Sequence, residues 1–361
     1  MDKLRVGIIG CGMISDIYFK NFTGPFSNLI EVVSCANRSK EKADLKAKQY
    51  HVKSQTVEEM MNDSSIACIV NLTPPEAHYS LNKEALLKGK WVYTEKPLAV
   101  KSEEGKELYK IAKEKGLYLG SAPDTFLGAG IQTVKSLIQK NEIGKIIGIQ
   151  ANMLSVGPEF FHPNPLFFYK EGGGPILDMG PYYLAALVCL AGPIKEVSSF
   201  ASSPFPDRTI LKTGETFRSE VDTYFASLLR FANGVIGQLT VSWDFRFPSW
   251  ESKLPLIEIL GSQGQIVVPD PNTFGGKVLL RHGREEFKEV PLIEGFSIDS
   301  RGLGLEEAYR AFQNKKGPYI SNEFTLHVFE VLSGIVQSSK EKKVVEIEDS
   351  CPVLDLFDPR F

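Results

Sequence analysis

The stretch that most restricts what this chain can fold into is "GCGMIS", Gly10 to Ser15, directly after the apolar run Leu4–Ile9. In the fingerprint G-x-G-x-x-G, the first glycine makes a tight turn. The second lets the backbone approach a pyrophosphate, and the third lets a helix pack closely on the strand before it. Gly10 and Gly12 fill the first two places, and Ser15 takes the third, where a small residue is the least damaging replacement. The N–H groups around Met13 and Ile14, with Cys11 between the glycines, would then face phosphates at the positive end of a helix. Glycine turns also end strands for purely structural reasons. Here an apolar strand precedes the turn, an amphipathic stretch follows it and a second strand comes next, which favours the phosphate-binding reading.

The alternation continues. Leu4–Ile9, Ile30–Ala36, Ile66–Leu72, Trp91–Thr94 and Leu117–Leu119 are short, apolar and rich in β-branched residues, and charged segments with helical spacing (Ser39–Gln49, Ala77–Lys88, Ser102–Lys115) separate them. This pattern predicts a parallel sheet covered by helices on both faces. Beyond about residue 122 the pattern changes. A helix over Ile131–Gln139 is followed by period-two alternation, clearest in "DTYFASLLRFANGVIGQLTVSWDF", where Asn233-Gly234 supplies the turn of a hairpin. "IEILGSQGQIVV" predicts a second hairpin turning at Ser262–Gly264, and a last amphipathic helix runs from about Asn322 to Ser338. The expected fold is α/β, with an N-terminal Rossmann dinucleotide-binding domain over 1–122. An α+β domain with a large, mostly antiparallel open sheet is expected over 123–361. A length of 361 residues agrees with two cores rather than one.

The tip of the second strand bears on the choice of dinucleotide. An acid there would bind a ribose 2′-hydroxyl, but the sequence reads "CANRSKEK", with Asn37, Arg38 and Ser39 in place of an acid. A guanidinium next to a hydroxyl suits a 2′-phosphate. NADP is therefore expected ahead of NAD, the alternative being a basic helix start on a solvated face.

Three further stretches carry a resemblance: "NLTPPEAHY" (Asn71–Tyr79), "YTEKPLAV" (Tyr93–Val100) and "GGGPILDMGPYYL" (Gly172–Leu184). With the glycine turn, in this order and over nearly the whole chain, they resemble the glucose-fructose oxidoreductase and inositol dehydrogenase (Gfo/Idh/MocA) family. "RGLGLEEAYRAF" and "NEFTLHVFEVL" look like the C-terminal part of a bacterial branch of it. The resemblance implies NAD(P)-dependent oxidation or reduction at a secondary alcohol or carbonyl of a sugar, polyol or related compound. It implies an active site between the two domains, and a homodimer or homotetramer formed through the C-terminal sheet. It also places Leu72, Thr73, Pro74 and His78 on the nicotinamide side of the cofactor. Two departures stand out. The family's D-x-G-x-H ends here in Tyr182, with Asp178 at the aspartate, and "SAPDTF" has Thr125 where an arginine is common.

Hydride transfer at a carbinol needs a proton acceptor beside the oxygen, and the reverse direction needs a donor. A tyrosine, with an ordinary pKa of about 10, serves only if a cation stabilises its phenolate. Lys96 is the candidate cation, preceded by Glu95 and aimed by Pro97, and Tyr182 is the candidate acid/base. Asp178 lies four residues earlier on the same helix face, to bind a substrate hydroxyl or orient Lys96. Each has a plainer reading: a turn proline at a strand end for Lys96-Pro97, and a helix-start acid for Asp178. Tyr183, off that face, reads as core. His78 is open between cofactor contact and packing. Asp124, His162, Phe168, Tyr169, Lys170, Trp243 and Asp244 are candidate substrate contacts, the aromatic ones equally consistent with packing.

Other classes are less well served. A net charge of −3 gives no reason to expect nucleic acid or an anionic membrane as partner. Five scattered cysteines lack zinc or redox spacing, and no metal is expected. The longest apolar run, Leu184 to Ala191, is too short to span a bilayer. With a first strand starting almost at Met1, this leads to the expectation of a cytoplasmic protein. Two alternatives share the fold: redox-neutral glycoside cleavage with a tightly held, recycling NAD(P), and a dinucleotide-binding sensor without catalysis.

Overall fold

The computed structural model describes residues 2–162, 164–245 and 256–359. They fall into two compact units. The first holds the residues up to Asp124 with Asp299–Leu326 and the stretch from Asp358, and the second holds Thr125–Ile298 and His327–Phe357.

The first unit is a parallel sheet with helical crossovers. In chain order it contains β1 (Leu4–Ile9), α1 (Ser15–Thr23), β2 (Ile30–Ala36), α2 (Lys40–Tyr50), β3 (Lys53–Ser54) and α3 (Val57–Asn62). These are followed by β4 (Cys68–Asn71), α4 (His78–Leu87), β5 (Trp91–Thr94), α5 (Ser102–Lys115) and β6 (Leu119–Ser121). The sheet order is β3-β2-β1-β4-β5-β6, every pair parallel. β1 and β4 read as unbroken apolar runs because the central strands of a parallel sheet are covered on both faces; Val6, Ile8, Ile69 and Val70 are fully buried. The order reverses between β1 and β4, and at such a switch point ligands bind beyond the carboxyl ends of the strands. A helix at Leu303–Gln313 belongs to this unit too. Its first amides are held by the buried Asp124, whose Oδ2 accepts from Gly302 N at 2.8 Å and Gly304 N at 3.0 Å.

The second unit is built on a mixed sheet. It contains α6 (Ala129–Gln139), β7 (Ile146–Leu154), α7 (Pro175–Ala191), β8 (Ile194–Ser202), β9 (Asp207–Thr209), β10 (Thr216–Arg218), β11 (Tyr224–Phe231) and β12 (Ile236–Ser242). β13 (Ile257–Gly261), β14 (Gly264–Val268), β15 (Val278–His282), β16 (Lys288–Val290) and β17 (Val345–Glu346) complete it. Among the described residues, nine strands pair in the order β16-β15-β14-β13-β7-β12-β11-β8-β17. Both expected hairpins form, β11 with β12 across Asn233-Gly234 and β13 with β14 across Ser262-Gln263. β7 and β12 pair in parallel, an exception within an otherwise antiparallel sheet. One face is covered by α7, which is apolar almost throughout and buried from Gly180 to Ala191. The other face carries Phe200, Leu228, Ile236 and Gln238, all exposed. The alternation along each strand sets this division.

Candidate active site

The glycine turn is held by its neighbours on the sheet. Gly10 has φ +103°, and a Cβ there would lie 2.6 Å from the Leu72 carbonyl, so only glycine lets the turn pass the end of β4. At Gly12 a Cβ would meet nothing within 4 Å. The space beside Gly12 is open, as close approach of a pyrophosphate requires. Ser15, fully buried, donates from Oγ to Gly12 O at 2.6 Å and closes the turn onto α1. Among the described residues the N–H groups of Gly12, Met13 and Ile14 have no intramolecular partner, and all three residues are exposed. These donors at the start of α1 can accept an anion. The N–H of Cys11 is instead taken by Asn37 Oδ1 at 3.2 Å, which ties the turn to the tip of β2.

Next to Asn37, Arg38 and Ser39 are exposed, and Arg38 has no ion pair among the described residues. Ser39 precedes α2, but its hydroxyl does not cap the helix, so it too is available.

Beyond β4, Asn71 organises "LTPP": its Oδ1 accepts from Thr73 Oγ1 at 2.6 Å and its Nδ2 donates to Asn82 Oδ1 at 2.8 Å. Leu72 is buried, Thr73 half-buried and Pro74 exposed. His78 is fully buried, its ring nitrogens 2.7 Å from the carbonyl oxygens of Thr73 and Pro97. Burial pushes its pKa below the ordinary histidine value, against the pull of the two carbonyls. The ring thus bridges two loops.

Beyond β5, Glu95 is buried and Lys96 half-buried. Glu95 Oε1 accepts from the Tyr18 hydroxyl at 2.7 Å, and Oε2 accepts from Lys96 N at 3.2 Å. Beyond β6, Asp124 is buried in the first unit's interior, where its Oδ2 also accepts from Tyr93 at 3.0 Å. Burial raises its pKa.

In the second unit Asp178 and Tyr182 lie four residues apart on α7, the first half-buried and the second buried. The glycines before them make a close approach to the chain itself. Gly173 sits where a Cβ would be 2.3 Å from Phe168 O, and Gly174 N donates to that oxygen at 2.7 Å. The aromatic loop is therefore folded back onto the start of α7. On it His162 lies edge-on to Phe168, with centroids 5.2 Å apart, and Phe168 lies edge-on to Trp243 at 5.9 Å. Pro163, within this loop, lies outside the described residues. Tyr169 and Trp243 are buried, and the Tyr169 hydroxyl donates to Glu159. Trp243 packs against both Phe168 and Tyr169, while Lys170 is exposed. Thr125 is buried and donates to Pro271 O at 2.6 Å.

The organising charge under this loop is absent from the sequence reading. Arg208, on β9, is buried and donates from Nη1 to Glu159 Oε1 at 2.9 Å and from Nη2 to Asp244. Asp244 also accepts from Thr223 Oγ1 at 2.7 Å. Nothing in the local pattern around Arg208 marks it, because its partners are 49 and 36 residues away.

A parallel sheet in this order, with an open glycine turn and unpartnered amides after its first strand, defines a dinucleotide-binding domain of the Rossmann type. Comparison with known proteins agrees. Residues 4–122 match the family described as "Oxidoreductase family, NAD-binding Rossmann fold", and residues 131–267 match the "GFO/IDH/MocA C-terminal domain". The chain belongs to the GFO/IDH/MocA family of oxidoreductases and is an NAD(P)-dependent enzyme of the dehydrogenase type. Among curated proteins it is similar to trans-1,2-dihydrobenzene-1,2-diol dehydrogenase of Sus scrofa, 24% identical over 354 residues that cover 96% of this chain and 99% of that protein. It is also similar to scyllo-inositol 2-dehydrogenase (NADP(+)) IolW of Bacillus subtilis, 26% identical over 364 residues covering 96% and 97%. Among solved structures, levoglucosan dehydrogenase in complex with NADH and L-sorbose superposes with a TM-score of 0.83 at 19% identity, covering 96% of this chain and 99% of that one. That likeness is one of fold. Among the described residues no helix is long and apolar enough to cross a membrane.

Proposed function

We propose that the enzyme is an NADP(H)-preferring oxidoreductase of a secondary alcohol or the matching ketone on a sugar, polyol or cyclic diol. The observation that supports this best is a row of carboxyl ends on one parallel sheet: Gly10–Ile14 after β1, Arg38 and Ser39 after β2, Leu72–Pro74 after β4, and Glu95-Lys96 after β5. The unpartnered amides of Gly12, Met13 and Ile14 would hold the pyrophosphate, and Arg38 with Ser39 a 2′-phosphate. The bound dinucleotide supplies the hydride acceptor or donor. Lys96 is the proposed group that holds a proton at the substrate oxygen, and Tyr182 the proposed group that exchanges it. Asp178 binds a neighbouring hydroxyl of the substrate. His162 and Phe168 offer ring faces and edges that suit the apolar side of a sugar or cyclic diol. The named activities of the similar proteins, on an inositol and on a dihydrodiol, support this substrate class.

The first unit would serve the cofactor, and the second would serve substrate and assembly. A second copy of the chain is the proposed partner, through the exposed sheet face bearing Phe200 and Leu228. The cytoplasm is the proposed compartment. The test is turnover of NADPH and NADH against a panel of keto-inositols, ketoses and cyclic diols. Substrate-dependent oxidation of NADPH, faster than that of NADH, is the expected result. Release of a cleaved glycoside with no net change in cofactor would contradict it.

A further inference from the structure

Lys96 carries its charge on a flexible four-carbon stem, so its aim depends on how firmly its backbone is held. The structure holds that backbone from both flanks, with two side chains to which the reaction itself gives no part. On one flank is Glu95. Its carboxylate accepts the buried Tyr18 hydroxyl at 2.7 Å through one oxygen and the Lys96 N–H at 3.2 Å through the other. On the other flank is Pro97, whose carbonyl oxygen lies 2.7 Å from the His78 ring. The second ring nitrogen is 2.7 Å from Thr73 O.

Each flank leads back to the cofactor turn. Tyr18 is on α1, whose first residue, Ser15, is tied to Gly12 O. Thr73 follows Leu72, against whose carbonyl Gly10 is pressed. The contacts therefore close a ring: Gly12, Ser15, Tyr18, Glu95, Lys96, Pro97, His78, Thr73, Leu72, Gly10. Such a ring fixes the lysine relative to the phosphate-binding amides.

We infer that Tyr18 and His78 are positioning residues that act on the reaction only through Lys96, by holding the Glu95–Pro97 turn in register with the glycine turn. This rests on the reading of Lys96 as the proton-handling residue. Tyr18 suits the role because burial, and then the Glu95 charge, push its phenol well above the ordinary range, so it remains a donor at every working pH. The geometric demand is steep, since small misplacement of a reacting group costs large factors in rate.

Tyr18→Phe keeps the ring and removes only the hydroxyl. It is expected to lower kcat by about tenfold or more, with KM and the Kd for NADPH within about threefold of wild type. His78→Gln, which like the neutral imidazole can donate from one nitrogen to a carbonyl, should lose less than His78→Ala. A second readout needs no turnover: titration of Lys96 by ¹³C NMR of lysine-labelled protein, its signal assigned by its loss in Lys96→Met. Tyr18→Phe should move that titration, because Glu95 then redistributes its hydrogen bonds beside the lysine. Glu95→Gln should move it further.

A kcat fall with an unmoved Lys96 titration would overturn the inference, and so would an equal loss of NADPH affinity, since each marks Tyr18 as packing. Wild-type kcat in Tyr18→Phe would overturn it too. If instead Lys96→Met turns over at the wild-type rate, the reading of Lys96 fails, and the NMR titration still decides whether Tyr18 positions the lysine.

Discussion

A Cβ at Gly12 would meet no protein atom within 4 Å apart from its chain neighbours. Gly12→Val is therefore expected to fold with an unchanged melting temperature and to lose dinucleotide binding, which calorimetric titration reads directly. Retained affinity would remove the turn from the cofactor site. At Arg38 the expectation is selective. Loss of a charge-assisted phosphate contact costs about 1.5–3 kcal/mol, so Arg38→Ala should weaken NADPH by roughly tenfold or more and leave NADH nearly untouched. Equal losses would show that Arg38 does not read the 2′-phosphate. Tyr182→Phe should lower turnover by roughly 10²–10⁴ while cofactor affinity persists. A near-wild-type rate would leave Tyr182 as a wall of the pocket. Candidates of this kind can be picked out in a sequence because glycine spacing and short motifs are local. Where a side chain's hydrogen bonds go is not local. The sequence could not show that Asp124 receives two amides of a helix 180 residues away, or that Tyr169 donates to Glu159.

Among the elements, the first unit was the more readable. β1, β2, β5 and α5 lie where periodicity and apolar runs place them, since fully covered strands and amphipathic helices carry strong local signals. β6 begins at Leu119, two residues beyond the expected start, because Leu117 N–H is taken by Ala112 O at the end of α5. In the second unit the hairpins were readable from their turns, whereas the parallel pairing of β7 with β12 joins strands about eighty residues apart and leaves no local mark. The helix Leu303–Gln313 carries a prediction about pH. Glu307 on it is buried, accepts from Tyr319 N at 2.8 Å, and is pushed up to about 7 by burial, from an ordinary 4.5. Its native pKa lies above its unfolded one. The stabilising contribution is therefore complete below about 4.5 and lost as pH rises through about 7. Glu307→Gln should gain melting temperature relative to wild type between about pH 5 and pH 8. Parallel curves for the two proteins would show that Glu307 does not titrate in that window.

For the whole molecule, the exposed sheet face is the proposed site of association with a second copy. Phe200 is 73% and Leu228 56% exposed, on adjacent strands of the same face. These exposed apolar side chains are the basis for proposing this face as an association surface. Light scattering is expected to show a dimer or tetramer, and Phe200→Glu with Leu228→Lys should shift it to a smaller species. A monomeric wild type would contradict that assignment. The central claim is that the enzyme moves a hydride between NADP(H) and a carbinol carbon. It is tested most directly with NADPH deuterated at the transferred position of the nicotinamide ring, supplied with the keto substrate that the panel identifies. Mass spectrometry and NMR of the product should find one deuterium on the new carbinol carbon, and little or no product when Lys96→Met replaces the wild type. A product formed without deuterium on that carbon would contradict the claim.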